Sequence, residues 1–334
     1  MSNNQYKTFW VIIPIALIII LLIIINWPIG TNKNVPPLDR PIKTAYIPLT
    51  ANLPLFVAME KGFFQKNGIR VEAVEVSNPN DLATAIVSNK IDFATVMAYT
   101  IIFPSALEHP NAFKLFHSTE EDEKNYTASI VVKKDSTLKT IDDLRGKKVG
   151  VYGGLVQTNF LKAILVGAGI KLSEVKIVEI NPRLQIQGLL AGEFEALSTT
   201  EPTSNVATAK GNARLLVENP RVKYIMNPFP STATVVGTAF LSEHPVETRA
   251  ILKSLDEAVD FIKQNPTEAK RFLLKYTPIP SEVESQVLND LKLLHYLKPG
   301  EENVKSVQRL ADYLYDNKIV GNKLNVNELF GARP

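Results

Sequence analysis

The chain begins with one long apolar segment, after which short apolar runs alternate with amphipathic ones. Every residue from 9 to 25 is apolar, and so are three of the next four. A helix of about 20 such residues spans roughly 30 Å, the thickness of a hydrocarbon core. Lys7 precedes the segment and no acid occurs among residues 1–8, which favours a cytoplasmic N-terminus. The pattern predicts a cytoplasmic tail at residues 1–8 and a transmembrane helix at residues 9–29.

A cleaved signal peptide is the alternative interpretation of residues 9–29. The apolar region of a signal peptide usually has about 7–15 residues and ends at a small-x-small site. Here the run is longer, and Asn26, Trp27 and Pro28 follow it without forming such a site. Both interpretations export the rest of the chain. Residues 30–41, which include three prolines, are predicted to be an extended linker.

Beyond the linker, β-type runs alternate with helical runs, which predicts an α/β protein with largely parallel sheets. The first unit is clear from its pattern. A strand at residues 42–47 leads through a loop to a helix that begins at Pro54, and a second strand follows at residues 69–76.

Two strand-like runs, at residues 128–132 and 232–239, flank a middle segment of the exported part. We expect the chain to cross between two lobes at these runs. Lobe one would then be built from two stretches of chain and lobe two from the segment between them. The predicted bounds are residues 42–132 and 232–334 for lobe one and residues 133–231 for lobe two.

Composition excludes several classes of function. The 37 Lys and Arg are balanced by 34 Asp and Glu without a basic cluster, so no nucleic-acid partner is expected. The absence of cysteine excludes disulfides, thiolate metal sites and a cysteine nucleophile. The four histidines are far apart and no paired-carboxylate or Ser-His-Asp signature occurs, so we predict no catalytic residue, no metal and no cofactor. The histidines are His109, His117, His244 and His295.

Eight short segments carry a family resemblance. In chain order they are YIP at residues 46–48, PLFVAMEKGFF at 54–64, GIRVE at 68–72, DDLRGKKVGV at 142–151, AGEFEA at 191–196, EP at 201–202, FLSEHP at 240–245 and NPTEA at 265–269. Together they resemble the extracytoplasmic solute-binding proteins of ABC importers, in the branch for nitrate, alkanesulfonates, taurine and thiamine-pyrimidine precursors.

The resemblance implies the two-lobe fold of type II periplasmic binding proteins, with a ligand cleft between lobes joined by two crossings. It implies a prokaryotic cell membrane as the location, with a single membrane pass and the solute-binding domain in the periplasm or the extracellular space. The expected partners are a small-molecule solute and the permease and ATPase subunits of an ABC importer. The protein itself is expected to be a monomer.

A glycine turn is the first candidate ligand site, in lobe two. Gly153 and Gly154 follow a predicted strand and precede a helix, so their N–H groups and the helix dipole favour an oxygen-rich group. A structural turn is the alternative interpretation. The resembling proteins often carry a hydroxyl after the glycines, whereas Leu155 stands here, and Gln157 and Thr158 could supply the side-chain hydrogen bonds instead.

The other candidate ligand residues come from strand ends. Glu201 ends a predicted strand at the sheet edge where open α/β sheets bind ligands, and its carboxylate suits an ammonium or amino-substituted ring. A solvated surface acid is the alternative. Lobe one would contribute the loops after its first and third strands. An ordinary structural role for these loop residues is equally possible, and for the tyrosine among them so is packing in the core. The candidates there are Thr50, Asn52, Tyr99 and Thr100.

These observations favour a membrane-tethered receptor that closes around a small sulfonate-like, taurine-like or aminopyrimidine-like solute and delivers it to a permease. One alternative is an anchored sensor that binds a solute to signal. The other is an enzyme, because pyrimidine synthases of thiamine biosynthesis share the fold implied by the resemblance. Those enzymes are cytosolic and carry a cysteine-rich motif that this chain lacks.

Overall fold

A computed structural model describes residues 38–332 of the chain. The predicted tail at residues 1–8, the predicted membrane segment at residues 9–29 and most of the predicted linker lie outside these residues. Among the helices of the described part, none combines the length and the apolar character that crossing a membrane requires.

The first of two β-sheets has six strands. They lie in the order β11-β4-β10-β3-β1-β2, and β1 pairs in parallel with both β2 and β3. In contrast, β10 runs antiparallel between β3 and β4. The strands are β1 (Ile42–Tyr46), β2 (Val71–Glu75), β3 (Phe93–Ala98), β4 (Phe113–Glu121), β10 (Phe229–Gly237) and β11 (His295–Leu297).

The second sheet has five strands in the order β7-β6-β8-β5-β9. Here β6 pairs in parallel with β7 and β8, and β5 lies antiparallel between β8 and β9. The predicted α/β class is therefore confirmed. The expectation of largely parallel sheets is wrong, because both sheets are mixed and antiparallel pairings outnumber parallel ones. The strands are β5 (Ala128–Lys133), β6 (Lys148–Tyr152), β7 (Lys176–Ile180), β8 (Ala196–Thr200) and β9 (Ala213–Glu218).

Fourteen α-helices in the described residues cover the sheets. They are α1 (Leu53–Glu60), α2 (Phe63–Lys66), α3 (Pro79–Val87), α4 (Tyr99–Glu108), α5 (Leu155–Gly167), α6 (Gln185–Ala191), α7 (Thr203–Ala209), α8 (Pro220–Tyr224), α9 (Thr238–Glu243), α10 (Pro245–Gln264), α11 (Pro266–Arg271), α12 (Leu273–Tyr276), α13 (Glu284–Asp290) and α14 (Val304–Asp316). Short 3-10 turns also occur, one of them at Thr50–Asn52.

Helices cover both faces of the six-stranded sheet because its strands are apolar on both sides. In β3, Phe93 belongs to the buried cluster that contains α1 and α10, whereas the next residue, Ala94, belongs to the cluster that contains α3, α4 and α14. Successive side chains of a strand point to opposite faces. A continuous apolar run such as β3 is therefore what a strand between two helical layers requires.

The connections between the sheets differ from the sequence-based expectation. We expected the crossings within residues 128–132 and 232–239. In the structure these runs lie in β5 and β10, which belong to different sheets, and the chain crosses before each of them, at residues 122–127 and 219–228. The expectation was wrong by several residues because an apolar β-type run indicates a strand but not the sheet that it joins.

The two crossings are bonded to each other. Asn219 donates a hydrogen bond from its side chain to the backbone oxygen of Asp122 over 2.6 Å and another from its backbone to Ala128 over 3.2 Å. Asp122 in turn accepts a hydrogen bond at 2.8 Å from the ring nitrogen of His295 in β11. These contacts connect the ends of both sheets at the position where the chain passes between them.

The described end of the predicted linker is attached to the folded part and does not extend away from it. The guanidinium of Arg40 makes two hydrogen bonds of 2.7 and 2.8 Å to the carboxylate of Asp92. The same carboxylate also accepts a hydrogen bond from the backbone of Lys43 in β1. The expectation of an extended linker therefore does not hold at Arg40.

Gly167, in the last turn of α5, is where this helix passes closest to α8. A methyl group added there would lie 1.7 Å from the carbonyl oxygen of Tyr224. We expect Gly167→Ala to lower the free energy of unfolding by about 3 kcal/mol, because the two helices must separate. Denaturant unfolding measures this change, with Gly321→Ala as control because an added methyl group there meets nothing within 4 Å. Equal stability of both variants would contradict the close contact.

Candidate functional site

A cleft of about 520 Å³, partly open to solvent, lies between the two sheets, and we call it the central cleft. Most of its lining is apolar, and among the described residues Glu201 and Arg221 are the only charged ones in it. Both sheets and both crossings contribute to it, with Arg221 in the second crossing. Its walls include Ile47, Ala51, Val96, Met97, Ser231 and Thr232 from the six-stranded side, Val156, Gln157, Phe160, Thr200 and Glu201 from the five-stranded side, and Thr127 from the first crossing.

Glu201 follows β8 directly, so the carboxyl end of this strand carries it into the central cleft. Its side chain accepts hydrogen bonds from the hydroxyl of Ser204 at 2.5 Å and from the backbone N–H of Asn205 at 3.1 Å. The residue is only 5% exposed, and burial raises the pKa of its carboxyl to about 7 in spite of both hydrogen bonds. The alternative interpretation of a solvated surface acid therefore does not hold, because Glu201 is a buried carboxyl at the cleft wall.

The glycine turn lies between β6 and α5, and α3 approaches it closely. A Cβ atom at Gly153 would lie 3.0 Å from the ring of Pro79, and one at Gly154 would lie 2.8 Å from the side chain of Asn80. Both glycines also have positive φ angles of 70° and 62°. Glycine is therefore required here by backbone conformation and by the contact between the two sides of the cleft.

Gln157 lies in the first turn of α5 and lines the central cleft. Its amide nitrogen is 3.4 Å from the hydroxyl of Tyr152, which is 2.5 Å from the hydroxyl of Thr200. No side chain caps this helix. The residues of its first turn that line the cleft, Val156 and Gln157, therefore bring N–H groups without intrahelical partners to the cleft wall.

Thr50 and Asn52 lie next to the central cleft but support it from behind. The backbone N–H of Thr50 is 3.3 Å from the backbone oxygen of Glu201, which connects the two sides of the cleft. Asn52 uses both ends of its amide within its own half, since Nδ2 donates to Ile47 over 2.7 Å and Oδ1 accepts from Thr95 over 2.6 Å. Between them, Ala51 provides the cleft lining.

The three other predicted residues lie outside the cleft lining. We expected Tyr99 and Thr100 in a loop, but α4 begins at Tyr99, and this ring is fully buried against Phe103 with a centroid distance of 5.4 Å. Thr100 is 2% exposed, in the same helical turn. Thr158 donates a hydrogen bond over 3.2 Å to Glu179 at the end of β7. For the tyrosine, the alternative of core packing is the one that the structure supports.

A buried ion pair beside the central cleft is not predictable from the sequence pattern. Arg221, in α8, lies 2.8 Å from Glu121, the last residue of β4. Their side chains are 4% and 0% exposed, respectively. The hydroxyls of Thr127 and Ser231 donate to the same oxygen of Glu121 at 3.1 and 3.2 Å. Neither charged residue lies in a recognisable sequence motif. The two residues meet only because the fold brings the two crossings together.

Among the described residues, no group of three or more His, Asp or Glu side chains is arranged to hold a metal ion. Within residues 38–332, no histidine and no lysine line the central cleft. The arrangement can instead bind a small molecule, through one carboxyl, one guanidinium and several amide and hydroxyl groups on an otherwise apolar wall.

The fold resembles that of periplasmic binding proteins. The solved structure of the periplasmic aliphatic sulphonate binding protein SsuA from Escherichia coli matches with a TM-score of 0.70 and 18% identity, over 87% of this chain and 97% of the other. The chain also matches the family described as NMT1/THI5 like over residues 50–269. Since this match covers more than half of the chain, the protein belongs to that family.

The names of relatives in this family indicate different functions. A Bacillus subtilis protein, named provisionally as an aliphatic sulfonates-binding protein, is 27% identical over 318 residues, which are 93% of each chain. A Saccharomyces cerevisiae protein named 4-amino-5-hydroxymethyl-2-methylpyrimidine phosphate synthase is 22% identical over 261 residues, or 75% of this chain and 72% of that one. The family therefore contains both binding proteins and enzymes.

Proposed function

We propose that this protein is the solute-binding component of an ABC importer and binds a small nitrogen- or sulfur-containing solute in the central cleft. The observation that carries the proposal is the cleft itself, which draws its walls from both sheets and contains one carboxyl and one guanidinium. A solute that contacts both sides would stabilise their approach to each other, which is the population shift that such receptors use. The similarity to sulfonate-binding proteins supports this proposal.

Contacts at the edge of the cleft support a closing motion. Arg183, after β7, lies 3.8 Å from Glu75 in β2 on the other side. The approach of the glycine turn to α3 and the hydrogen bond between Thr50 and Glu201 add two further contacts between the sheets. The ion pair between Arg183 and Glu75 is exposed, so this contact contributes little free energy and can open to admit a solute.

We further propose that residues 9–29 anchor the protein in a prokaryotic cell membrane, with residues 38–334 on the outer side. The apolar length of that segment and Lys7 before it support this location. A receptor held at the membrane would deliver its solute to permease and ATPase subunits there.

An enzyme of the pyrimidine synthase kind is the second candidate function, because relatives with that name exist. The pyrimidine synthases that share the fold implied by the resemblance use a histidine and a lysine of their own chain. Neither residue type occurs in the cleft lining here. We therefore favour binding without chemical conversion.

A solute screen with the full-length protein tests the proposal. The panel contains taurine, alkanesulfonates, nitrate, bicarbonate, aminopyrimidines and aromatic carboxylates. A ligand present at 1,000 times its dissociation constant adds roughly 4 kcal/mol to the free energy of unfolding, which a thermal-shift measurement detects easily. No shift with any panel member would contradict the proposed solute class, and conversion of a bound compound into a product would favour the enzyme.

Glu201→Gln provides the corresponding test of the site. For a ligand with an amino or ammonium group, we expect calorimetry to show binding weakened by about 1–3 kcal/mol, because the charge-assisted hydrogen bond is lost. Glu193→Gln is the matched control, since Glu193 is exposed and distant from the lining. Equal affinity of both variants for such a ligand would remove Glu201 from the site.

A further inference from the structure

We propose that Arg221 is the specificity-determining residue of the central cleft and binds a compact oxyanion on the solute, while Glu121 sets the strength of that interaction. This inference rests on the proposed function and deepens it. It comes from the hydrogen bonds of the guanidinium, most of whose donors have no acceptor within the described protein.

A guanidinium has five N–H donors. Among the described residues, that of Arg221 donates only through Nη1, to Glu121 at 2.8 Å and to Ser231 at 3.3 Å. Its Nε is buried without a hydrogen-bond partner. Both of its side-chain hydrogen bonds within the described residues are made by Nη1, which leaves Nη2 available to a ligand. Buried polar groups are nearly always hydrogen-bonded. Because Arg221 lines the central cleft, a ligand oxygen in the cleft can accept from Nη2.

The guanidinium is held in place before any ligand arrives. Its central carbon lies 4.1 Å from the ring centroid of Phe160 and 5.7 Å from that of Phe229, and these two rings contact each other edge to face. Phe160 is on α5, on the same helical face as Val156, so the helix that lines the cleft also fixes the arginine. A donor oriented in advance loses little entropy on binding, which favours affinity and selectivity.

Glu121 controls how much positive charge Arg221 presents. The carboxylate is fully buried and does not line the cleft, so its contact with a ligand is indirect. It accepts three hydrogen bonds through one oxygen, from Arg221, Thr127 and Ser231. Replacing Glu121 with glutamine would keep most of this packing and remove the counter-charge, which leaves the guanidinium more attractive to an anion.

Calorimetric titration of the full-length protein with two probes of the same shape tests the proposal. Ethanesulfonate carries the oxyanion, and ethyl methyl sulfone is its uncharged counterpart. We expect the wild type to bind ethanesulfonate at least about tenfold more tightly than the sulfone, since hydrogen bonds to charged groups are the stronger ones. Glu121→Gln should strengthen ethanesulfonate binding, and Arg221→Gln should reduce it to the level of the sulfone.

Two further variants keep the test informative. Arg221→Gln leaves Glu121 as a buried charge and can fail to fold, so the double variant Glu121→Gln/Arg221→Gln, which has no buried charge at this place, is measured beside it. It should also lose the preference for ethanesulfonate. Arg249→Gln, at an exposed arginine of α10 outside the cleft lining, is the control and should bind like the wild type. A merely structural role of the pair would not make Glu121→Gln a better anion binder.

The possible results separate failure of the Arg221 subsite from failure of the proposed function. Undiminished ethanesulfonate binding by the double variant, or equal binding of both probes by the wild type, would overturn the role of Arg221. If 4-amino-5-hydroxymethyl-2-methylpyrimidine binds and ethanesulfonate does not, the oxyanion subsite is overturned while the proposed function stands. If none of these probes binds, the subsite is again overturned, and the wider solute panel decides the proposed function separately.

Discussion

Replacing Arg221 with methionine is expected to lower the free energy of unfolding by about 3–5 kcal/mol, because Glu121 then remains buried as an uncompensated charge. The carboxylate would keep its hydrogen bonds from Thr127 and Ser231, but these neutral donors cannot replace the lost counter-charge. Denaturant unfolding at pH 7 measures the difference from the wild type. The expected loss is a large fraction of the stability of an ordinary domain.

The double variant Glu121→Gln/Arg221→Met separates the ion pair from simple packing. It should recover much of the loss, since no charge is left in the buried position, and replacing both members of a buried pair is often close to neutral. Arg183→Met, on an exposed arginine with a partner 3.8 Å away, should change stability by less than about 0.5 kcal/mol. If Arg221→Met were as stable as Arg183→Met, the buried pair described here would not exist in solution.

Glu201→Gln is expected to make the empty protein more stable than the wild type at pH 8, by about 2 kcal/mol. Burial raises the pKa of Glu201 from 4.5 to about 7, so the folded protein holds this proton more tightly than the unfolded chain. The resulting stabilisation is complete below pH 4.5 and is lost as the pH rises through 7. The wild type loses about 3 kcal/mol of stability in this way, and the variant does not. The variant instead loses about 1 kcal/mol, because glutamine cannot accept one of the hydrogen bonds that the carboxylate accepts, which leaves the expected difference of about 2 kcal/mol.

The measurement is the difference in free energy of unfolding between variant and wild type across the pH range from 4 to 8. We expect Glu201→Gln to be slightly less stable at the acidic end and more stable at the basic end. Glu193→Gln, at an exposed position, should show no such change with pH. A constant difference between Glu201→Gln and the wild type would show that Glu201 is not buried in the way described.

The first βαβ unit and the α/β class could be predicted because local pattern determines them. Residues 42–47 and 69–76 were predicted as strands, and the structure has β1 at Ile42–Tyr46 and β2 at Val71–Glu75. Pro54 was correctly placed at the start of a helix. These elements have their apolar residues at helical or strand spacing, and their turns contain glycine or proline, so neighbouring residues suffice to define them.

The candidate site could be predicted only in part, because tertiary structure brings together residues that are far apart in the sequence. Gln157 and Glu201 were found from strand and helix ends, which are local features. Tyr99 also follows a strand, but its helix begins at once and places the ring in the core. Arg221 has no distinguishing neighbours in sequence, and it becomes notable only because both crossings meet where Glu121 ends its strand.

The most direct test of the central claim is a crystal structure of the protein grown with the tightest ligand from the solute panel. The account predicts electron density for that ligand in the central cleft, in contact with residues from both sheets and with Glu201 or Arg221. Ligand density at another place, with the cleft empty, would contradict the assignment of this cleft as the solute-binding site.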